Sequence, residues 1–394
     1  MVIKRKIDFV RNSHVLLLYR ELIPSVRLCG HCQLEYLAQQ GKLEYRAERV
    51  SIVSRTTLQW ADTVVLGRLD NVYELALTRC LKNAGKRLLY IIDDDLLNVP
   101  PECSSSAYYG QPEIQNCIRQ IMELSDALIS PSPLLAKKYT QPGQRCFWIE
   151  EPAIEPVPFV AHSGSQIRIG FAGSVDRTDD LQSILGTALR RLHKEYGDRL
   201  QFVFFGAIPE FAAELNAVSV PYQDSYLAYR QELNRQAWDI GLAPMPDTPF
   251  HACKHYNKFC EYAAAGIVGV FSDVPPYTRI AQRYNGAILC ENDPESWYIQ
   301  LKALINDPQK REALRAEASQ NANGPLCVAA AAEDFFNEAK DALLYQNNKN
   351  TPVVRIGWIR LKGYFSRFRN VWRKYGFGIF PAVIRKISGK LRSH

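Results

Sequence analysis

Apolar residues along this chain fall into two patterns, and their succession sets out the architecture. Predominantly apolar runs of four to six residues stand at 14–18, 63–66, 87–92, 127–130 and 146–149. They are too short for helices and lack the alternation of a half-exposed strand, so they predict strands covered on both faces. Between them, residues 28–39, 71–84 and 113–124 carry helical spacing. The second half repeats the scheme, with strands at 167–172, 200–205, 240–243, 267–271 and 287–289 and a weaker one near Val218. Helical segments lie at 181–196, 225–237, 278–284, 295–306, 308–319 and 328–345; the first has apolar residues at 181, 184, 185, 188, 189 and 192, the stripe of an amphipathic helix.

Short buried strands alternating with helices predict βα units and parallel sheets. Residues 150–165 break the series with Pro152, Pro156, Pro158 and a His-Ser-Gly-Ser stretch. The expected organisation is an N-terminal Rossmann-like domain over 1–152, a linker over 153–165, a second Rossmann-like domain over 166–345, and an extension over 346–394. The fold class is therefore α/β, two doubly wound parallel-sheet domains with a helical C-terminal extension.

Ligands of such sheets bind beyond the carboxyl ends of the strands. The residues following the N-terminal strands include Arg27, Arg68 and the run Asp93-Asp94-Asp95, which are expected to converge on one rim. Each has an ordinary alternative: the arginines could pair with surface acids, and one aspartate could cap a helix or turn.

In the second domain the most informative stretch is 239–273. A short strand, a loop rich in proline, an alanine-rich helix ending at Gly266 and a β-branched run form one βαβ unit. Lys254, Lys258, Glu261 and Tyr262 are spaced to share a helix face. Two lysines near a helix N-terminus above a strand end would favour a phosphate, whereas Glu261 would be repelled by it and suits neutral ribose hydroxyls. A mixed-charge surface helix has the same spacing. His251, in the loop before the lysines, is a candidate acid–base group, against the reading of a solvated loop histidine.

The segments Asp239-Ile-Gly-Leu-Ala-Pro, Lys254-x3-Lys258-x2-Glu261-Tyr-Ala-Ala-Ala-Gly266 and Ser272-Asp-Val-Pro-Pro-Tyr277 resemble the donor-binding region of GT-B glycosyltransferases of the retaining, nucleotide-sugar-dependent group. The resemblance implies that Glu261 holds the nucleotide ribose; Cys253 stands where that group has a further glutamate. It implies that Gly173, Ser174 and Arg177, after the first strand of the second domain, face the donor phosphates, and that Asp93 and Asp94 face the interdomain cleft; these two join His251 as the catalytic candidates. Arg27, Arg68 and Asp95 would lie on the acceptor side. The implied reaction retains anomeric configuration and uses neither metal nor cofactor, only a nucleotide diphosphate sugar as donor and a glycan or lipid-linked acceptor. A non-catalytic body of the same fold, kept for binding in a membrane glycan-assembly complex, is the alternative. A nicotinamide enzyme would need G-x-G-x-x-G in a first βα turn, and neither domain has it.

Composition adds one feature. Ten scattered cysteines with a single Cys29-x-x-Cys32 pair suit a reducing compartment better than a zinc site. Residues 351–394 hold four Lys and seven Arg and no acid, a balance of +11; the chain is +7, so residues 1–350 carry −4. In this tail Trp358, Phe365, Phe368 and Trp372 recur at helical spacing, with Arg367, Arg369 and Arg373 between them. The pattern predicts a helix lying on an anionic membrane, which would place the protein peripherally on the cytoplasmic face of the plasma membrane. Packing on the body is the competing reading, and no nucleic-acid-binding motif is present.

Overall fold

The computed structural model describes residues 13–157, 164–223 and 225–347. The tail, with Trp358, Phe365, Phe368, Trp372, Arg367, Arg369 and Arg373, lies outside the described residues. Two six-stranded, wholly parallel sheets form the body.

The first sheet contains β1 (His14–Tyr19), β2 (Glu44–Arg49), β3 (Thr63–Gly67), β4 (Arg87–Ile91), β5 (Ala127–Ser130) and β6 (Arg145–Trp148), ordered β2-β1-β3-β4-β5-β6. Its central strands are apolar throughout because both faces are covered. Leu16, Leu18, Val64 and Leu66 enter one core and Val15, Leu17 and Val65 the other. β2 was not expected from its sequence, Glu-Tyr-Arg-Ala-Glu-Arg. It is an edge strand whose charged residues meet solvent and block further pairing, so it carries no apolar run.

The second sheet contains β7 (Ile167–Gly173), β8 (Leu200–Gly206), β9 (Val218–Val220), β10 (Ile240–Ala243), β11 (Val268–Ser272) and β12 (Ala287–Cys290), ordered β12-β11-β10-β7-β8-β9. The order turns about β7, so the crevice beyond the ends of β7 and β10 is the place for a ligand.

The last helix, Val328–Leu343, leaves the second domain and closes the first. Its Ala332, Phe335, Phe336, Ala339 and Leu343 belong to the core that holds Val15, Leu17 and Val65. The domains are further joined where Ala153 N donates to Leu326 O at 2.8 Å and Val157 N donates to Ala264 O at 2.8 Å. Among the described residues no helix is long and apolar enough to cross a membrane.

Candidate functional site

Between the strand ends of the two sheets lies a cleft of about 340 Å³. The second domain contributes Phe171, Ala172 and Gly173 from β7, Ser174 and Arg177 after it, and Ala243, Pro244 and Met245 from the end of β10. Lys254, His255, Asn257, Lys258, Glu261 and Tyr277 complete that wall. Across it stand Ser25, Asp93, Asp94 and Glu151 of the first domain. The glycine at 173 is required by space, since a Cβ there would stand 2.7 Å from the Phe171 ring.

The helix carrying the lysines starts later than its spacing suggests. It runs Asn257–Ala264, after a short helical turn Pro249–Ala252, and Lys254 lies in the connection between them. Lys254, Lys258, Glu261 and Tyr262 therefore do not share one helical face. Tyr256, with ψ 43°, breaks the helix between the two lysines. Tyr262 turns inward and donates to Leu242 O at 2.7 Å. Lys254, Lys258 and Glu261 nevertheless reach the same cleft, and no side chain caps the N-terminus of Asn257–Ala264.

Each cation of the cleft is held by an acid. Lys254 Nζ crosses the cleft to both oxygens of Asp94, at 3.0 and 3.2 Å. Lys258 Nζ lies 2.6 Å from Glu261 Oε2 and donates to Tyr229 Oη at 2.9 Å, while Tyr229 Oη donates to the same carboxylate at 2.7 Å. Arg177 Nε is 3.1 Å from Asp180, and its Nη2 donates to Pro244 O at 2.5 Å. Burial drives the Tyr229 hydroxyl well above the ordinary phenol range, and Glu261 adds to it, so it stays protonated as a donor.

The three aspartates of 93–95 diverge. Asp93 pairs with Arg68 Nη1 at 3.2 Å, and Asp94 holds Lys254. Asp95, 1% exposed, turns into the first domain, where it pairs with Lys138 at 2.6 Å and accepts from the Tyr139 hydroxyl and from Asn98. The expectation that Asp95 lines the acceptor side is thus corrected: it ties together the segment after β4 and the helix Pro133–Tyr139.

Arg27 is corrected as well. The helical segment begins at Pro24, a turn earlier than the apolar spacing indicates, and residues two apart on a helix point to nearly opposite sides. Ser25 faces the cleft, and Arg27 reaches Cys32 on the other side. Arg68 stays at the rim, held by Asp93, by Ser25 Oγ at 3.3 Å and by Tyr109 Oη at 3.4 Å. Its φ of 52°, a left-handed value uncommon for arginine, turns the chain at the end of β3.

His251 does not line the cleft. Its Nδ1 lies 2.8 Å from Thr248 Oγ1, and burial, with Arg177 and Lys254 nearby, lowers its pKa to about 4, so the ring is neutral at physiological pH. Cys253 also stays out, 5% exposed among the apolar side chains of the first domain's core.

The histidine at the cleft is His255. Its Nε2 is 2.7 Å from Glu150 Oε1, and its Nδ1 is 3.0 Å from Asn257 Oδ1 and 3.7 Å from Glu151 Oε2. Burial opposes its charge, but Glu151 and Glu150 outweigh burial and leave its pKa raised. Glu150 also accepts from Tyr256 Oη at 2.9 Å, so this carboxylate joins the end of β6 to the second domain. Glu150, Glu151 and His255 were missed in the sequence, where 150 and 151 read as the start of a linker. The strand-end rule applied to the preceding strands also covers β6 and would have found the two glutamates, though not His255, which lies in the connection before Asn257–Ala264.

This architecture is the two-domain GT-B fold. No family model and no curated protein matches the chain. Solved structures resemble it over most of its length. The Anabaena protein HepE with UDP and glucose bound is similar at a TM-score of 0.56, with 13% identity over 83% of this chain and 99% of its own. An α-glucosyltransferase bound to UDP and a DNA 13-mer matches at 0.54, with 14% identity over 84% and 99%. A Listeria monocytogenes structure assigned as a UDP-N-acetylglucosamine 2-epimerase matches at 0.52, with 10% identity over 84% and 96%. At such identities the likeness is one of fold, and the chemistry must be argued from the cleft.

Proposed function

We propose that this protein is a glycosyltransferase that moves a sugar from a nucleoside diphosphate sugar to a glycan or lipid-linked acceptor. The observation that carries the reading is the convergence of Arg177, Lys254, Lys258 and an uncapped helix N-terminus at the switch point of the second sheet. That arrangement suits a diphosphate, and the neighbours in fold named above include two glucose-related structures holding UDP.

In transfer, the bond from the anomeric carbon to the diphosphate oxygen breaks and a bond to the acceptor oxygen forms. The acceptor's proton leaves with the diphosphate or passes through a carboxylate at the cleft. The three cations would stabilise negative charge as it develops on the leaving group. Gly173 lets the backbone approach the phosphates, with Ser174 beside it. Glu261 would take the ribose hydroxyls once its hold on Lys258 loosens. Asp93 and Asp94, facing this wall from the other domain, would stand where the transferred sugar meets an incoming acceptor, with Arg68 steadying Asp93. The resemblance to the retaining group implies retention of configuration and independence from metal, and the donor segment together with the basic tail supports a role in cell-surface polysaccharide synthesis. The basic tail, through Trp358, Phe365, Phe368, Trp372, Arg367, Arg369 and Arg373, would hold the enzyme on an anionic membrane at the cytoplasmic face.

The test is thermal denaturation of the full chain with UDP, GDP, TDP and CMP and their sugar conjugates, since a ligand of the folded state raises the melting temperature. Product analysis of the stabilising conjugate follows. Nucleoside diphosphate release with transfer, or with slow hydrolysis, supports the reading. Interconversion of two nucleotide sugars would replace it with an epimerase, and binding without turnover would leave a non-catalytic scaffold.

A further inference from the structure

The first-domain wall of the cleft carries two carboxylate oxygens with no hydrogen-bond partner, Glu151 Oε2 and Asp93 Oδ1. Both residues line the cleft and are buried, at 2% and 8% exposure. In each the other oxygen is engaged: the Cys29 thiol donates to Glu151 Oε1 at 2.9 Å, and Arg68 Nη1 donates to Asp93 Oδ2 at 3.2 Å. Each side chain is thus held at one oxygen, and Asn257 also bears on the Glu151 carboxylate. The other oxygen of each has no close donor and lies just beneath the cleft surface, so a ligand hydroxyl would reach it on a small turn of the side chain. His255 Nδ1, at 3.7 Å from Glu151 Oε2, is beyond hydrogen-bond reach and is engaged by Asn257.

A buried acceptor without a donor is costly, and native proteins keep few of them. Two on one cleft wall call for donors that arrive with a ligand. A phosphate offers acceptors and negative charge and would be repelled. A polyhydroxylated ring offers several O–H donors and no charge. The cleft is accordingly polarised, with Arg177, Lys254 and Lys258 on one wall and Glu151 and Asp93 on the other. A ligand with a diphosphate at one end and hydroxyls at the other fits both.

We propose that Glu151 and Asp93 accept hydrogen bonds from hydroxyls of the sugar carried on the nucleoside diphosphate, and that they set which sugar the cleft admits. The proposal rests on the donor-site reading above. Glu151, at the end of β6, and Asp93, beyond β4, approach the ligand from strands separated by β5. Their two open oxygens define a spacing that only some arrangements of ring hydroxyls meet. The two residues act as specificity determinants and touch the group being transferred.

The experiment is isothermal titration of the full chain with UDP, GDP and their glucose, galactose, N-acetylglucosamine and mannose conjugates, in wild type, Glu151→Gln and Asp93→Asn. Each substitution keeps the shape and places an amide donor where the open acceptor stood. The quantity read is the affinity of a conjugate divided by that of its own bare nucleotide, which a general loss of folded protein does not change. At least one conjugate is expected to bind more tightly than its nucleotide, and that ratio should fall about tenfold or more in each variant. A ratio retained in either folded variant, or no conjugate exceeding its nucleotide in wild type, overturns the proposal and leaves the donor site standing. If no nucleotide or conjugate, those of TDP and CMP in the thermal screen included, binds wild type, the donor-site reading itself falls. Asp93→Asn carries the test alone should Glu151→Gln fail to fold.

Discussion

Lys254 is engaged before any ligand arrives, and this has a measurable consequence for Asp94. Both Asp94 oxygens lie within 3.2 Å of Lys254 Nζ. The two side chains are 28% and 22% exposed, so the pair falls between a solvent-screened surface bridge and a buried charge-assisted bond. The first class contributes roughly 0.2–1 kcal/mol and the second about 1.5–3 kcal/mol; about 1 kcal/mol is a reasonable value for this intermediate case. A diphosphate that takes Lys254 must displace Asp94 and forfeit that energy. Asp94→Asn weakens the competitor for Lys254, so UDP should bind about fivefold more tightly. Lys254→Met should bind UDP at least about tenfold more weakly. In the double variant the Asp94 effect should shrink below about twofold, because its partner is gone. Titration calorimetry at low and moderate salt reads all four corners of the cycle, with the larger effects at low salt. If Asp94→Asn leaves UDP affinity unchanged or weaker, or if its gain persists without Lys254, the competition is not there. Where Asp94 also serves the acceptor, turnover falls while nucleotide affinity rises, a split that a structural role would not produce.

Three further outcomes are expected. Lys258→Met should weaken UDP binding about tenfold or more, since a charge-assisted contact is lost, and unchanged affinity would remove Lys258 from the phosphate set. Phe335→Ala, at a residue 1% exposed, should cost about 3–5 kcal/mol by urea denaturation although it lies far along the chain from the domain it fills. A loss under about 1 kcal/mol would show that the last helix is not part of that core. His255 has a raised folded pKa, so its stabilising contribution is full below its unfolded value of about 6.5 and is lost as pH rises through the folded value. His255→Gln should therefore be less stable than wild type below about pH 6.5 and lose less stability above it, and parallel urea midpoints from pH 6 to 9 would refute the assignment.

The parts of this fold legible in the sequence are those governed by burial on both faces. β1, β3, β7 and β8 read directly as apolar runs, and the parallel order follows from the helices between them. β2 was illegible for the opposite reason, its strand character coming from pairing with β1 at an edge where side chains stay polar. The site was legible as positions beyond strand ends and not as directions. Asp93, Asp94 and Asp95 are indistinguishable in sequence, yet they meet Arg68, Lys254 and Lys138 in turn, because each step along the chain past β4 turns the side chain elsewhere. Arg27 failed through a helix start displaced by one turn, and the shared helical face failed through the break at Tyr256. Glu150 and Glu151 failed because proline marks a linker without saying what precedes it.

The same geometry explains why charge alone does not describe this cleft. Every cation at its second-domain wall faces an acid in the resting protein: Lys254 faces Asp94, Lys258 faces Glu261, and Arg177 faces Asp180. Those acids keep the cations oriented and make the affinity for any anion a difference between two pairings. Only the Lys254 pair crosses between the domains among these three, so only it couples occupancy of the phosphate position to the first domain. A ligand that draws Lys254 away releases Asp94 toward the space where an acceptor would enter. Until then the carboxylate is neutralised. On the function proposed above, donor binding would thus precede exposure of Asp94 and would favour transfer over idle hydrolysis through the order in which charges are freed.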